Sequence, residues 1–486
     1  MNKLTRNTIV STLSIIFGIS IYNSLILGLI TLIPLVISIY DSLQKSHSLL
    51  RNYPLIGRLR WVFEHERTKI QQYFIEHDLN GTPYNREKRS DVYQKSKGEN
   101  NTVPFGTQVD VYKDGYEFIQ HSMYPKDIKE VLEPRVLIGS KFCKFPYSAS
   151  ILNISAMSYG ALSDAAITAL NNGAKLGSFY HNSGEGGISK YHLQGGDVCF
   201  QIGTGYFGAG KTIDGKRYFD EESFISKAIN PNIKLIEIKL SQGAKPGHGG
   251  ILPAKKNTKE ISEIRGVEPG IEVASPPYHT AFSNPVEMIE FISKVRELSG
   301  GKPVGIKMCV GDFNEVRELI KKMKELDRYP DFITIDGGEG GTGAAPLVFS
   351  NSVGTPLIDG LKLVNDLLIE YDLKSEIKII ASGKASSSFD IIKLISLGAD
   401  CVNAARAFML SLGCIQAREC NSNTCPVGVA TQNRHLVDGL DPKEKSVRVY
   451  NYHKAVVHEI RELLAAMGLK NINQLDESHI KSRNSF

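Results

Sequence analysis

The chain has no cysteine framework of the kind that staples secreted domains. Its seven cysteines, an odd number, are spread as Cys143, Cys199, Cys309, Cys401, Cys414, Cys420 and Cys425. That spread excludes a disulfide scaffold and suits a reducing compartment. A strong charge of one sign is also missing. The net charge is +5 over 486 residues, with no basic stripe carrying interleaved aromatics, which argues against a nucleic-acid partner. From Asn7 to Tyr40 there is no charged residue at all. No small-residue cleavage site follows that apolar run, so it does not read as a secretory signal. A dinucleotide-binding unit is lacking too. GTGYFG (203–208) and GEGGTG (338–343) match G-x-G-x-x-G, yet neither opens a strand–glycine–helix unit with an acidic ribose partner.

What is present begins with the uncharged run itself. As one helix its 34 residues would reach roughly 51 Å, against about 30 Å of bilayer hydrocarbon. Asn23-Ser24 divides it into two apolar halves, with Lys3 and Arg6 before it and Lys45, Arg51, Arg58 and Arg60 after it. Residues 1–45 are therefore expected to form a membrane anchor of one or two transmembrane helices. A hairpin puts both basic flanks on the cytoplasmic side; a buried helix pair is the competing reading. Residues 46–145 read as an extension, helical over 61–79 and loop-like over 80–108, where Asn, Gly, Pro and Lys accumulate.

From residue 150 a short apolar run, then glycine or small polar residues, then a helical segment recurs. Strand-like runs fall at 150–160, 177–187, 198–208, 233–243, 302–312, 331–341, 377–384 and 399–407. Eight near-continuous apolar strands between helices predict a parallel α/β fold, a (β/α)8 TIM barrel over 146–435, with a C-terminal helical segment over 436–486. Long inserts are expected after the third and fourth strands.

In such a barrel the chemistry sits at the strand C-termini. The polar residues there are Met157, Ser158, Glu185, Gln201, Lys239, Gln242, Lys245, Arg265, Lys307 and Asp336. A lysine inside an apolar strand, such as Lys239 or Lys307, is costly to bury without an anion. That anion is a flavin edge or substrate carboxylate on one reading, and an internal Asp or Glu on the other. Ser382-Gly383-Lys384 and Ala404-Ala405-Arg406, after the seventh and eighth strands, offer backbone N–H groups and cations to a phosphate.

Cys414, Cys420 and Cys425 form C-x5-C-x4-C, with Pro426 after the last. Three thiolates at this spacing fit one face of a small iron–sulfur cluster. Zinc fits less well, since no fourth cysteine completes the set and His435 lies ten residues on. Three buried thiols are the plain alternative.

SAMSYGALS, SGEGG, KLSQGAKPGHGG, SPPYH, DGGEGGTGAAP and GCIQARECNSNTCPVGVATQ, in this order, resemble the FMN-binding synthase domain of the glutamate synthase large subunit over roughly residues 145–470. Residues 1–145 look like those of its short, stand-alone bacterial forms. The resemblance implies FMN and a [3Fe-4S] cluster, the latter on Cys414, Cys420 and Cys425. It implies Met157, Ser158, Gln201, Lys239, Gly383, Lys384 and Ala405 around FMN. Gln242, Lys245 and Arg265 would hold 2-oxoglutarate, with Glu185 and Lys239 as the catalytic pair. The implied reaction is reductive amination of 2-oxoglutarate by ammonia, through 2-iminoglutarate, to glutamate. An electron donor such as ferredoxin would feed a catalytic domain on the cytoplasmic side of the cell inner membrane. Two departures stand out: residue 2 is Asn2 where complete enzymes start with a nucleophilic cysteine, and His248 replaces a usual glutamate in KPGHGG. They leave two other readings open, a pure electron-transfer protein and a related enzyme acting on another amine, such as alkylamine transfer to glutamate.

Overall fold

A computed structural model describes residues 2–99 and 102–483. It falls into two compact units, Met1–His77 and Asp78–Phe486, so the division lies inside the expected extension.

The first unit is a helical hairpin. Helix α1, Asn2–Asn23, and helix α2, Leu25–Leu43, reverse at Ser24, whose backbone is extended. The reversal falls where the Asn-Ser pair interrupts the apolar run. Among the described residues only α2 is long and apolar enough to cross a membrane, with a mean hydropathy of 2.0. The hairpin of two spans thus reduces to one candidate span with a more polar partner helix. In the last turn of α2 the buried Asp41 carboxylate accepts from Arg58 at 2.6 and 2.9 Å and from the Leu55 N–H at 3.0 Å, which folds the following segment back. Helix α3, Leu59–Ile70, follows and closes in a wider turn over Gln71–Ile75, as the spacing predicts.

The second unit is built on a closed barrel of eight parallel strands. They are β1 Leu152–Ile154, β2 Tyr180–Asn182, β3 Asp197–Ile202, β4 Ile233–Lys239, β5 Val304–Met308, β6 Phe332–Asp336, β7 Lys378–Ser382 and β8 Cys401–Ala404. Each lies within or one residue beyond its predicted run. Strand β8 closes on β1 with Asn403 opposite Asn153.

One segment departs from its expectation. Residues 80–108 are not all loop, because helix α4 occupies Arg86–Lys97. Its signals are local: the Asn85 side chain caps the Lys88 N–H, Glu87 lies in the first turn, Lys95 and Lys97 in the last, and Gly98 ends it at φ 70°. The polar composition hid it. Helices α5 Asp164–Gly177, α6 Pro285–Leu298, α7 Phe313–Leu326, α8 Leu357–Glu370 and α9 Ser388–Ser396 pack around the strands. The inserts after β3 and β4 hold a hairpin (Gly210–Ile213 with Lys216–Phe219) and a short helix, Lys259–Arg265. Helix α10, Pro442–Ala466, lies so close on α5 that a Cβ on Gly173 would meet Val449 Cγ1 at 2.3 Å.

Candidate active site

The strand C-termini open onto a cavity of about 840 Å³. Of the residues singled out in the sequence, Met157, Ser158, Glu185, Gln201, Lys239, Gln242, Lys245, Arg265, Gly383, Lys384, Ala405, Cys414 and Cys420 all line it. Cys425 does not reach the cavity wall and is buried. Eight lysines and arginines face the cavity (Lys239, Lys245, Lys256, Arg265, Lys307, Lys384, Arg406 and Arg418), against three acids, Glu185, Asp336 and Glu339. The site is therefore poised for anions.

The two strand lysines end in ion pairs. Lys239 Nζ lies 2.7 Å from Glu185 Oε1, and Lys307 Nζ lies 3.5 Å from Asp336 Oδ2. For Lys307 the internal acid is thus the anion the sequence left open. Burial raises the Glu185 carboxyl, but Lys239 beside it, with Lys245 and Arg265 beyond, outweighs burial and holds it below the usual range. Lys307 is held above its ordinary value, since Asp336 and Glu237 overcome its desolvation.

Glu237 is the residue that sequence reasoning missed. One oxygen accepts from Asn182 at 2.8 Å and Gln201 at 2.6 Å, the other from Thr334 at 2.7 Å. It thereby fixes the Gln201 amide under the cavity. The signal was an acid in LIEIKL two residues before Lys239, where alternation points both side chains into the barrel.

The other candidates rest on backbone carbonyls. Gln242 donates to Gly341 O at 3.0 Å, Lys245 to Ala344 O at 2.9 Å, and Arg265 to Tyr159 O at 3.3 Å. The Arg265 guanidinium lies over the Phe207 ring at 5.2 Å, and its buried Nε has no partner. Burial pushes Arg265 down to about 10 and lowers Lys245 as well. The Gly341 backbone passes so near Arg406 that a Cβ there would lie 1.4 Å from Nη2. A side chain at that position would displace the Arg406 guanidinium.

The cysteine loop is fastened on three sides. Tyr93 Oη donates to Cys414 O at 2.6 Å, and Gln416 exchanges bonds with the Tyr84 backbone at 3.0 and 3.1 Å. Asn423 donates to Lys255 O at 3.3 Å. Burial pushes the Cys414 thiol up to about 12, with Cys420 and Cys425 adding to it. No group of three or more His, Cys, Asp or Glu side chains converges as a ready metal site among the described residues. The three thiols are nonetheless near enough to influence one another, and His435 is exposed.

The cavity fits one of the two expected groups, FMN, while the three cysteines supply the donor type of the other without converging as a metal site among the described residues. The cavity is of the size that holds a nucleotide cofactor. Its basic excess and the glycine-lined approach at Gly341 suit a flavin phosphate. Thiols are the ligand type an iron–sulfur cluster takes, and Lys256 lines the same cavity as Cys414 and Cys420.

A parallel eight-stranded barrel with a basic, glycine-lined cavity at its strand C-termini defines a TIM-barrel enzyme of anionic ligands. Residues 107–470 match the conserved region in glutamate synthase. The chain is 39% identical to the glutamate synthase large subunit-like protein YerD of Bacillus subtilis strain 168, over 94% of each chain. It is 35% identical to the archaeal glutamate synthase [NADPH] of Methanocaldococcus jannaschii, over 74% of this chain but only 66% of that protein. Among solved structures, mandelate oxidase with (S)-2-phenylpropionate is similar at 12% identity and a TM-score of 0.45, over 81% of this chain and 98% of that one. The chain belongs to the glutamate synthase family and is an oxidoreductase of that kind.

Proposed function

We propose that the chain carries out a glutamate-synthase-like reductive amination, in which 2-oxoglutarate and ammonia form 2-iminoglutarate and this is reduced to glutamate. The observation that carries this reading is the charge of the cavity, eight basic side chains against three acidic ones at the strand ends. FMN would be held by Met157, Ser158, Gln201 and Lys239 around its ring system and by Gly383, Lys384 and Ala405 at its phosphate. Cys414, Cys420 and Cys425 would hold the [3Fe-4S] cluster. When bound, FMN supplies hydride chemistry and the cluster supplies single electrons.

The chain's own residues do the rest. Lys245 and Arg265, now resting on carbonyls, turn to the two carboxylates of the substrate, and Gln242 adds an amide donor. Glu185, kept ionised by Lys239, takes up or returns a proton at the carbon–nitrogen centre. Packing around the cavity fixes the approach of the reacting atoms and limits water.

The α2 span would tether the barrel to the cell inner membrane from its cytoplasmic side. An acidic donor protein such as ferredoxin would deliver the electrons. A second reading, action on another amine, is favoured by His248, which packs edge-on against Phe349 at 5.3 Å where the family usually carries an acid.

The test is flavin reoxidation. The full chain, purified anaerobically in detergent and reduced chemically, is mixed with 2-oxoglutarate and ammonium. Fast reoxidation with glutamate appearing is expected. No reoxidation with both cofactors present would overturn the reading, and reoxidation with methylammonium alone would favour the second.

A further inference from the structure

Two groups stand out among the buried cations of the barrel unit. Lys95, Lys239, Arg296 and Lys307 each lie within ion-pair range of a carboxylate. Lys245, Lys256 and Arg265 have no such partner among the described residues, and all three line the cavity. Lys245 and Arg265 sit in the field of Glu185 and belong to the substrate end. Lys256 does not, and nothing in the proposed amination uses it.

Its side chain is 2% exposed. The ammonium donates to Ala161 O at 2.9 Å and to Ala430 O at 2.7 Å, so it bridges the loop after β1 to the end of the cysteine loop. Its neighbour, the Lys255 carbonyl, accepts from Asn423 between Cys420 and Cys425. The turn Ala254–Lys256 is thus fastened to the cysteine loop on both sides. The Cys420 and Cys425 thiols lie near enough to act on the Lys256 charge, and Cys420 lines the same cavity. Two carbonyls solvate an ammonium but do not neutralise it. A buried cation normally persists where an anion faces it.

We infer that Lys256 is the fixed counter-charge of the group held by Cys414, Cys420 and Cys425, and that it sets the reduction potential of that group. The physical reason is short. A thiolate-held iron–sulfur group is anionic, and one-electron reduction adds a further negative charge without breaking a bond. A fixed ammonium in a poorly screened interior stabilises the reduced form more than the oxidised one, and so raises the potential. Lys256 acts here through the cluster and not on substrate. It is a positioning residue for electron transfer. The inference rests on the cluster assignment made above.

The experiment is a redox titration of the full-length chain with dithionite, followed by electron paramagnetic resonance, on the natural protein, Lys256→Met and Lys256→Arg. Lys256→Met is expected to lower the potential by about 59 mV or more, a tenfold loss in the equilibrium constant for one electron. Lys256→Arg keeps the charge and is expected to retain the natural potential. An unchanged potential in Lys256→Met, with the cluster present, would overturn the inference and leave the cluster assignment standing. Absence of any cluster signal in the natural protein would overturn both. If Lys256→Met assembles no cluster while Lys256→Arg does, charge is what the site requires and the inference holds. Loss of the cluster in both variants would reduce Lys256 to a structural tie and overturn it.

Discussion

The two ends of the barrel treat buried charge in opposite ways. At the strand N-termini Asp331 is fully buried and completely satisfied. One oxygen accepts from the Ser140 N–H and hydroxyl, both at 2.7 Å, and the other from the Val304 N–H at 2.7 Å and Arg296 Nε at 3.0 Å. Arg296 spends a second donor on Tyr329 O. That cluster joins the segment before β1 to α6, β5 and β6. At the strand C-termini Lys245, Lys256 and Arg265 are buried, and among the described residues their hydrogen-bond partners are carbonyls and not carboxylates. A satisfied buried ion holds a fold together; an unsatisfied one waits for an anion.

Breaking the cysteine set should have the largest effect on function. Cys420→Ser is expected to abolish iron–sulfur absorbance and the paramagnetic signal while flavin fluorescence after denaturation persists; a retained cluster would remove Cys420 from the ligand set. At the opposite end, Asp331→Ala leaves Arg296 buried without its anion. A loss of about 3–5 kcal/mol is expected from such a broken pair. Thermal or denaturant unfolding measures it, and a change below about 1 kcal/mol would show that this end is not held as described.

Removing a cation from the ligand end should cost affinity more than stability. Arg265→Ala is expected to weaken 2-oxoglutarate binding by about tenfold to a hundredfold, or roughly 1.4–3 kcal/mol, with flavin content intact. Calorimetric titration decides this, and unchanged affinity would exclude Arg265 from the site.

The smallest effect is on the pH dependence of stability. Burial lowers His453 from 6.5 to about 3, and His192 and His279 to about 4. His453 is stacked on Phe179 at 3.9 Å and bonded to Ser150 at 2.9 Å. Because the folded form binds protons less readily than the unfolded chain, stability is full above about pH 6.5 and falls as pH drops from there towards the folded values. Each histidine contributes about 1.4 kcal/mol per pH unit inside its window. Denaturant midpoints between pH 7.5 and 4.5 should fall less steeply for His453→Gln than for the natural chain. Parallel slopes would show that His453 is already protonated when folded.

Much of the barrel was legible because each strand is short, apolar and flanked by small residues. All eight observed strands sit in such runs or start one residue before them, with helices following in the recurring pattern at 164–177, 313–326 and 388–396. Helix α4 was missed because composition outweighed its caps. The site candidates were legible as residue types at strand ends, and the resemblance implied their roles. Their actual partners were not legible, because the side chains that meet there are far apart in sequence. Glu185 lies 54 residues from Lys239, and Glu237 reaches 97 residues to Thr334.

The sequence by itself determined the barrel, the break in the hairpin at Ser24 and the cysteine spacing, because each depends on residues near one another along the chain. Tertiary structure alone decided which buried charges are satisfied. The eight basic residues of the cavity come from strands and loops scattered between residues 239 and 418. Only closure of the barrel brings them to one end, where β8 meets β1. It also leaves Lys256 on two carbonyls near the cysteine loop, with no carboxylate in ion-pair range among the described residues. Charge compensation acts over a few ångströms in space, and strand order, not chain order, sets that distance.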